Sequence, residues 1–337
     1  MRSLAASFAL FAAFVNAKDS IEIHCQDANE SVPAEILYST ALYPNSPIIY
    51  KNSLLFAEYS ADRLTFLDGS TFWRRDGCGP SGVTRYHYNS LLVACYDDNS
   101  IVQIHENGTT LARVSHSAVD SAGFLGPTDF ALDTFGGVYF TAPGTYESWG
   151  PSKPATGSIH YIPKPENGVI SEYIYRVASG IRYPNGIAVT SNGQSLLVSE
   201  TFSNVVSSYE IFSNALIQRN FLSAPTLFVN LSQVVDGFMG PAGMKLLDGV
   251  LYQAEFEGAR VLKFWEDGGF VGSVEFNTPT FKNISNVWVE WDSIYVTAAS
   301  EDSSGQEKPG LILRIDDPLL KTRAHLNCDI TGNAVEL

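Results

Sequence analysis

Basic side chains are scarce in this chain: 21 Lys and Arg stand against 36 Asp and Glu, giving a formal net charge of −15. So acidic a protein offers no phosphate-binding surface, and nucleic acid is not expected as a partner. Histidine is also sparse. The six residues (His24, His87, His105, His116, His160 and His325) show no metal-ligand spacing, and no Cys-x-x-Cys accompanies them, so a zinc site is not expected. No Gly-x-Ser-x-Gly nucleophile motif occurs. Beyond the N-terminus no segment approaches the roughly 20 apolar residues that a membrane-spanning helix needs. Helical periodicity is missing as well. Short runs of Val, Ile, Leu, Tyr and Phe, bounded by Gly, Asn, Asp and Ser, recur instead, which is the pattern of an all-β protein.

The N-terminus sets the expected compartment. Arg2, the apolar run Leu4 to Val15 and the small-residue site Val15-Asn16-Ala17 read as a secretory signal peptide over residues 1–17, with a mature chain over 18–337. Four cysteines suit an oxidising lumen and allow three pairings. Cys78–Cys95 would join neighbouring segments of one repeat, and Cys25–Cys328 would tie the termini together. N-glycosylation sequons stand at Asn29, Asn107, Asn230 and Asn283, mostly beside turn residues.

One phrase repeats. A Pro turn leads through a short hydrophobic stretch and a tight turn into a strongly apolar strand that ends in small residues. Pro44-Asn45-Ser46-Pro47 leads to Leu54-Leu55-Phe56-Ala57, and Pro80-Ser81-Gly82-Val83 to Leu91-Leu92-Val93-Ala94. Pro127-Thr128-Asp129-Phe130, Pro184-Asn185-Gly186-Ile187, Pro241-Ala242-Gly243-Met244 and Ile284-Ser285-Asn286-Val287 open the other copies. A third strand follows each after a polar turn. Six copies at spacings of roughly 36 to 57 residues match the four-stranded blades of a six-bladed β-propeller forming a single domain. Closure of the ring is expected through a strand near Ile21-Glu22-Ile23, latched by Cys25–Cys328. The longest insertion, Gly144 to Gly157 with Tyr146 and Trp149, follows an inner strand and is expected to stand over the channel mouth as a lid.

The phrase Pro184-Asn185-Gly186-Ile187-Ala188-Val189, with Asn192-Gly193-Gln194-Ser195-Leu196-Leu197-Val198, resembles the fourth-blade motif of the gluconolactonase, senescence-marker-protein and luciferin-regenerating-enzyme family. Gly136-Gly137-Val138-Tyr139-Phe140-Thr141 and Asn286-Val287 echo its third and last blades. The likeness implies a divalent ion, usually calcium, held in the channel by a blade-one Glu, a fourth-blade Asn and a fifth-blade Asp, with lactone hydrolysis as the activity. Of these positions only the Asn is kept, as Asn185; the Glu position holds Asn45 and the Asp position Ala242. The third-blade Asn-Asp pair becomes Thr128-Asp129. A calcium ion takes six or more oxygens, with carboxylates prominent, so this set disfavours metal-dependent hydrolysis.

What remains is a group of hydrogen-bonding residues with aromatic walls. Asn185, Asp129, Tyr146 and Trp149 are the expected catalytic residues; Asn45, Thr128, Glu200, Glu255 and Asn286 are the expected substrate contacts. Glu200 and Glu255, at the ends of inner strands, could equally be internal partners within the propeller. In its signal peptide, sequons and lost ligands the chain is similar to fungal natural-product members of the same family. That similarity implies a cofactor-free hetero-Diels–Alder addition, for example of a tropolone quinone methide to a terpene alkene, with small hydrophobic natural-product molecules as partners. The alternatives are a calcium-dependent lactonase with a rebuilt cation site at Asn185, Asp129 and Asp236, and a secreted binding propeller without catalysis.

Overall fold

The computed structural model describes residues 34–317, apart from 88, 122, 145–149, 215–218, 237–239, 277–279, 291 and 301–308. The expected signal peptide, Cys25, Asn29, Tyr146, Trp149 and Cys328 lie outside the described residues.

Among the described residues twenty-five strands form six antiparallel sheets, one for each repeated phrase. The innermost strands are Pro44–Tyr50, Pro80–Tyr86, Phe130–Leu132, Pro184–Val189, Pro241–Leu247 and Asn283–Glu290. Tight turns join each to its second strand, and left-handed residues build them. Lys51 and Asn52 have φ of 51° and 60°, the geometry of a hairpin whose twist matches its strands.

The second strands show why the sequence reads as continuous apolar runs. Each is buried on both faces, and successive side chains point to opposite blades. Leu91 and Val93 pack against blade one with Ile48, Leu55 and Leu64. Leu92 and Ala94, one residue along, pack against Phe130, Val138 and Phe140 of blade three. Six such clusters fill the six gaps between consecutive blades. The core is therefore a ring rather than a centre. His160 belongs to it, stacked on Phe140 with ring centroids 4.9 Å apart.

The strand expected near Ile21-Glu22-Ile23 to close the ring lies outside the described residues, and a later strand pairs with the last blade. The outermost strand of blade six is Glu35–Leu42, which pairs antiparallel with Pro309–Asp316 from Glu35↔Arg314 to Leu42↔Pro309. Its buried Ala41 packs with Ile312, Leu54 and Phe56, and Tyr43 turns the chain directly into blade one. Blade four also departs from the repeat. Its strand Val205–Asn214 is long enough to pair with Thr226–Asn230 along one half and Arg219–Leu222 along the other. From that extension Asn220 Nδ2 donates to Tyr139 Oη at 2.8 Å and to Asp133 Oδ2 at 3.1 Å, fastening blade four to blade three.

The inner strands approach most closely at the third position of each phrase, occupied by Ser46, Gly82, Asp129, Gly186, Gly243 and Asn286. A Cβ on Gly186 would stand 2.3 Å from Ala242 O, and one on Gly82 would stand 2.2 Å from Thr128 O. Both neighbours are backbone and cannot swing aside. Gly186→Ala is expected to destabilise the propeller by about 1–3 kcal/mol, the usual range for overpacking, as read from its chemical denaturation midpoint. An unchanged midpoint would mean that the strands can separate freely.

Candidate functional site

The pinch at the third position divides the channel into two compartments. Above it, the second-position residues Asn45, Ser81, Thr128, Asn185, Ala242 and Ser285 floor a mouth cavity of about 830 Å³. Below it, Asp129 and Asn286 face a separate cavity of about 180 Å³ further along the same strands. Sequence reasoning grouped Asn185, Asp129, Thr128 and Asn286 as one site. The structure brings Asn45, Thr128 and Asn185 together at the mouth and puts Asp129 and Asn286 on the far side of the pinch. Thr128 and Asp129 part company although they are neighbours in sequence: the first lines the mouth and the second the lower cavity, just ahead of the strand that begins at Phe130.

Much of the floor's polarity holds the ring together. Ser285 Oγ donates to Pro44 O at 2.7 Å and Ser81 Oγ to Pro127 O at 2.8 Å, each bonding the next blade. Asn45 Oδ1 accepts the Ser46 amide at 2.8 Å. Asn185 Nδ2 donates to Thr201 Oγ1 at 3.3 Å, while Thr201 Oγ1 donates across to Pro241 O at 2.8 Å.

The strand-end glutamates do not line the mouth cavity. Glu200 and Glu255 sit opposite Pro184 and Pro241 in their own blades. Glu200 accepts from Ser207 Oγ at 2.6 Å and Ser203 Oγ at 3.2 Å, and the fully buried Glu255 pairs with Arg260. Glu58, opposite Pro44, accepts from the Leu42 amide at 3.0 Å and from Arg63 at 2.6 Å. These carboxylates fasten blade corners: of the two readings of Glu200 and Glu255, substrate contact or internal partner, the geometry favours the second.

Calcium does not fit the floor. The six second-position side chains supply two amides, three hydroxyls and a methyl group, without the carboxylates that a hard cation requires. Asp129 lies beyond the pinch, and Asp236 is exposed and outside the cavity lining. Of the carboxylates that do line the cavity away from its floor, Asp62 is engaged by the Gly77 and Gly79 amides and Asp97 by Tyr59, leaving Glu257. Among the described residues no three His, Cys, Asp or Glu side chains gather to hold a metal ion.

The walls hold what sequence reasoning missed. Tyr43, Tyr59, Tyr96 and Tyr183 line the mouth. Tyr43 packs edge-on to Tyr59 at 5.6 Å, and Tyr59 to Tyr96 at 6.2 Å. Tyr96 Oη lies 3.2 Å from Tyr183 Oη, so blades two and four touch above Thr128 and the phenols form a continuous arc. Ala242 and Phe256 stand on blade five. The signal for this arc was positional. Tyr43 and Tyr183 precede Pro in a repeated Tyr-Pro-Asn, and Tyr59, Tyr96 and Phe256 each follow the last residue of a second strand.

The arc has a rigid base. The Cys78–Cys95 disulfide is present, and beside it the Tyr96 amide donates to Gly79 O at 3.0 Å and the Asp97 amide to Cys78 O at 3.1 Å. Asp62 accepts the amides of Gly77 and Gly79, each at 2.8 Å. Tyr59 Oη donates to Asp97 Oδ1 at 2.6 Å. Burial pushes the Asp97 carboxyl up, against the downward pull of that hydrogen bond. Of the long insertion, Pro151 O accepts from Arg182 Nη1 at 2.6 Å, which sets its described part beside Tyr183 on the mouth side.

The sequons fall in unequal surroundings. Asn107 is exposed in a turn, and Asn230 caps a short 3₁₀ turn by accepting the Ser232 amide at 3.1 Å. Asn283 is buried and lines the mouth cavity, so a glycan there is incompatible with the folded ring. If sequons are used, glycopeptide mapping will find Asn107 occupied and Asn283 bare; a glycan on Asn283 of the folded protein would contradict this packing.

In the lower compartment burial pushes the Asp129 carboxyl up to about 7. The unfolded carboxyl releases its proton near 4, so between these values the native state binds more protons and stability falls as pH rises. Asp129→Asn removes that slope. The variant is expected to gain on wild type by a few kcal/mol, in order of magnitude, between pH 4 and 7.5, as measured by denaturation at both values. Equal slopes would show that Asp129 is solvated.

With this geometry in view, the chain was compared with known proteins. Residues 44–300 match the model of the SMP-30/gluconolactonase/LRE-like region. No curated protein matches. Among solved structures, XC5397 from Xanthomonas campestris, described as a gluconolactonase, superposes with a TM-score of 0.64 at 19% identity, covering 83% of this chain and 88% of that one. A luciferin-regenerating enzyme gives 0.64 at 14% identity over 85% and 96% of the two chains. Regucalcin from Agrobacterium tumefaciens, described as calcium-binding, gives 0.64 at 14% over 85% and 95%. At these identities the superpositions establish the fold alone, whereas the family model spans most of the chain: this protein belongs to the SMP-30/gluconolactonase/LRE-like family.

Proposed function

We propose that this gluconolactonase-like propeller is an enzyme whose mouth cavity accelerates a metal-independent hetero-Diels–Alder addition between small hydrophobic natural-product molecules, such as a tropolone quinone methide and a terpene alkene. The carrying observation is the cavity's composition: a floor of amides and hydroxyls, walled by an arc of four tyrosines, with the carboxylates Asp62, Asp97 and Glu257 in the lining beyond the floor. In this reaction three π bonds become one π and two σ bonds, and no atom leaves. The protein needs no nucleophile or proton relay for the step. It must hold two reactants in register, which contributes about 7–11 kcal/mol in the best intramolecular cases, and stabilise charge that gathers on the heterodiene oxygen.

The neighbouring hydroxyls of Tyr96 and Tyr183 are assigned as donors to that oxygen, with the Asn185 amide beneath them and the remaining tyrosine faces packing the conjugated ring. A cavity of about 830 Å³ has room for two such partners. The proposed compartment is the secretory pathway, a reading that the Cys78–Cys95 disulfide supports.

A second reading, lactone hydrolysis as in the family's named enzymes, is favoured by one feature: the Tyr59–Asp97 couple, where a carboxyl of raised pKa meets a phenol at the cavity edge. Asp97 would then serve as the general base toward water.

The test is a coupled product assay with a heterodiene precursor, an alkene and a panel of lactones. The first reading expects a single stereoisomer formed well above the background rate, slowed about ten- to a hundredfold by Tyr96→Phe or Tyr183→Phe, in line with loss of one donor to developing charge. It expects Asp97→Asn to leave the addition intact. Turnover of a lactone abolished by Asp97→Asn would establish the second reading instead. Background rates with every substrate would make the protein a binding propeller.

A further inference from the structure

The lower compartment is not part of the mouth site, yet it is built rather than merely left over. Its lining is mixed: Ile48, Val83, Ile187 and Val287, from four different blades, stand beside Ser46, Thr84 and Asn286. Into this lining two charged side chains are set, Asp129 from blade three and Lys245 from blade five. Asp129 is buried at 7% exposure. Its Oδ1 accepts the Phe130 amide at 2.9 Å. Its Oδ2, shielded from solvent, makes no hydrogen bond of regular geometry among the described residues, although the Asn286 side chain and the Ile187 amide stand close enough to draw on the carboxyl. Lys245 Nζ stands 4.1 Å above the Trp288 ring, a stacking that orients an ammonium but takes up none of its hydrogen bonds.

The charges around the cavity favour an anion. The inner strands of blades one and four contribute Ser46, Pro47, Ile48, Ile187, Ala188 and Val189, none of which titrates. Blade two contributes the charge of Arg85, whose Nη2 also donates to Ile49 O. Blade six contributes Glu290, which accepts from Trp288 Nε1 at 2.9 Å. Lys245 and Arg85 thus act on the cavity against Asp129, with Glu290 engaged by Trp288. Burial pushes the Asp129 carboxyl up and the Lys245 ammonium down, and the attraction between the two opposes both shifts.

We propose that this lower cavity is a binding site for a short-chain monocarboxylate, its two oxygens bridging the Lys245 ammonium and the Asp129 carboxyl and its alkyl tail lying against Ile48, Val83, Ile187 and Val287. One ligand oxygen accepts from Nζ and the other accepts the proton on Asp129, so each group gains a charge-assisted hydrogen bond. A matched amine would meet Lys245 and Arg85 with like charge. The site is separate from the mouth and does not rest on the cycloaddition reading.

Sodium butyrate is the probe, titrated into the folded propeller by calorimetry, with butylamine as the matched cation. The expected result is saturable one-site binding of butyrate and none of butylamine. Lys245→Met should weaken butyrate at least about tenfold, a loss equal to one charged hydrogen bond, while Lys245→Arg should restore most of it. Asp129→Asn supplies a neutral donor and should bind at least as tightly as wild type. Thermal midpoints of the variants show whether each is folded, and the wild-type titration stands without them. Absence of saturable binding to wild type, equal binding by folded Lys245→Met, or preference for butylamine would each overturn the site.

Discussion

Six strands meeting edge to edge around one axis leave little room at the third position of each repeated phrase, and the rest of the molecule is arranged about that contact. Gly82 and Gly186 stand there because a Cβ would run into backbone carbonyls about 2 Å away. Second-position residues then line one compartment, and residues beyond the third position line the other. Hydroxyls just above the pinch, among them Ser81 and Ser285, bond across to the next blade and keep the ring closed. Channel chemistry in this fold is therefore a matter of single-residue register.

The mouth illustrates how a scaffold persists while its site is rebuilt. Family membership and blade geometry are those of gluconolactonase-like proteins, but the floor holds Asn45 and Ala242 where the family resemblance implies carboxylates. The floor keeps amides and hydroxyls, and phenols from blades one, two and four make a continuous surface on the walls. The disulfide and the Asp62 amide bonds stiffen the loop that carries Tyr96 and Asp97. That stiffness matters for chemistry by positioning, because a donor earns its effect only when it is aimed before the reaction begins.

Much of the fold was legible from the chain alone. Both faces of every second strand are buried, so runs such as Leu91-Leu92-Val93-Ala94 stand out against the turns, and six of them meant six blades. Cys78–Cys95 followed from the same repeat. The closing strand was not legible, since Glu35–Leu42 carries a mostly exposed, non-alternating pattern that no strand template picks out. The site was read only in part. Asn45, Thr128 and Asn185 were visible because they sit inside the repeated phrase. The tyrosines lie one residue outside it, at turns whose direction only the closed ring defines. Asp129 was assigned to the wrong compartment because a linear motif does not show that a pinch separates it from Thr128. Glu200 and Glu255 look like channel residues in sequence, but their partners Ser207 and Arg260 come from the following strand.

The central claim is that the mouth works without a bound cation because its floor has lost the carboxylates that would hold one. Calorimetric titration of calcium into chelator-stripped protein tests it most directly. The account predicts no saturable binding tighter than about 1 mM, the weak end of protein calcium sites. A single site of micromolar affinity that Asn185→Ala abolishes would contradict it.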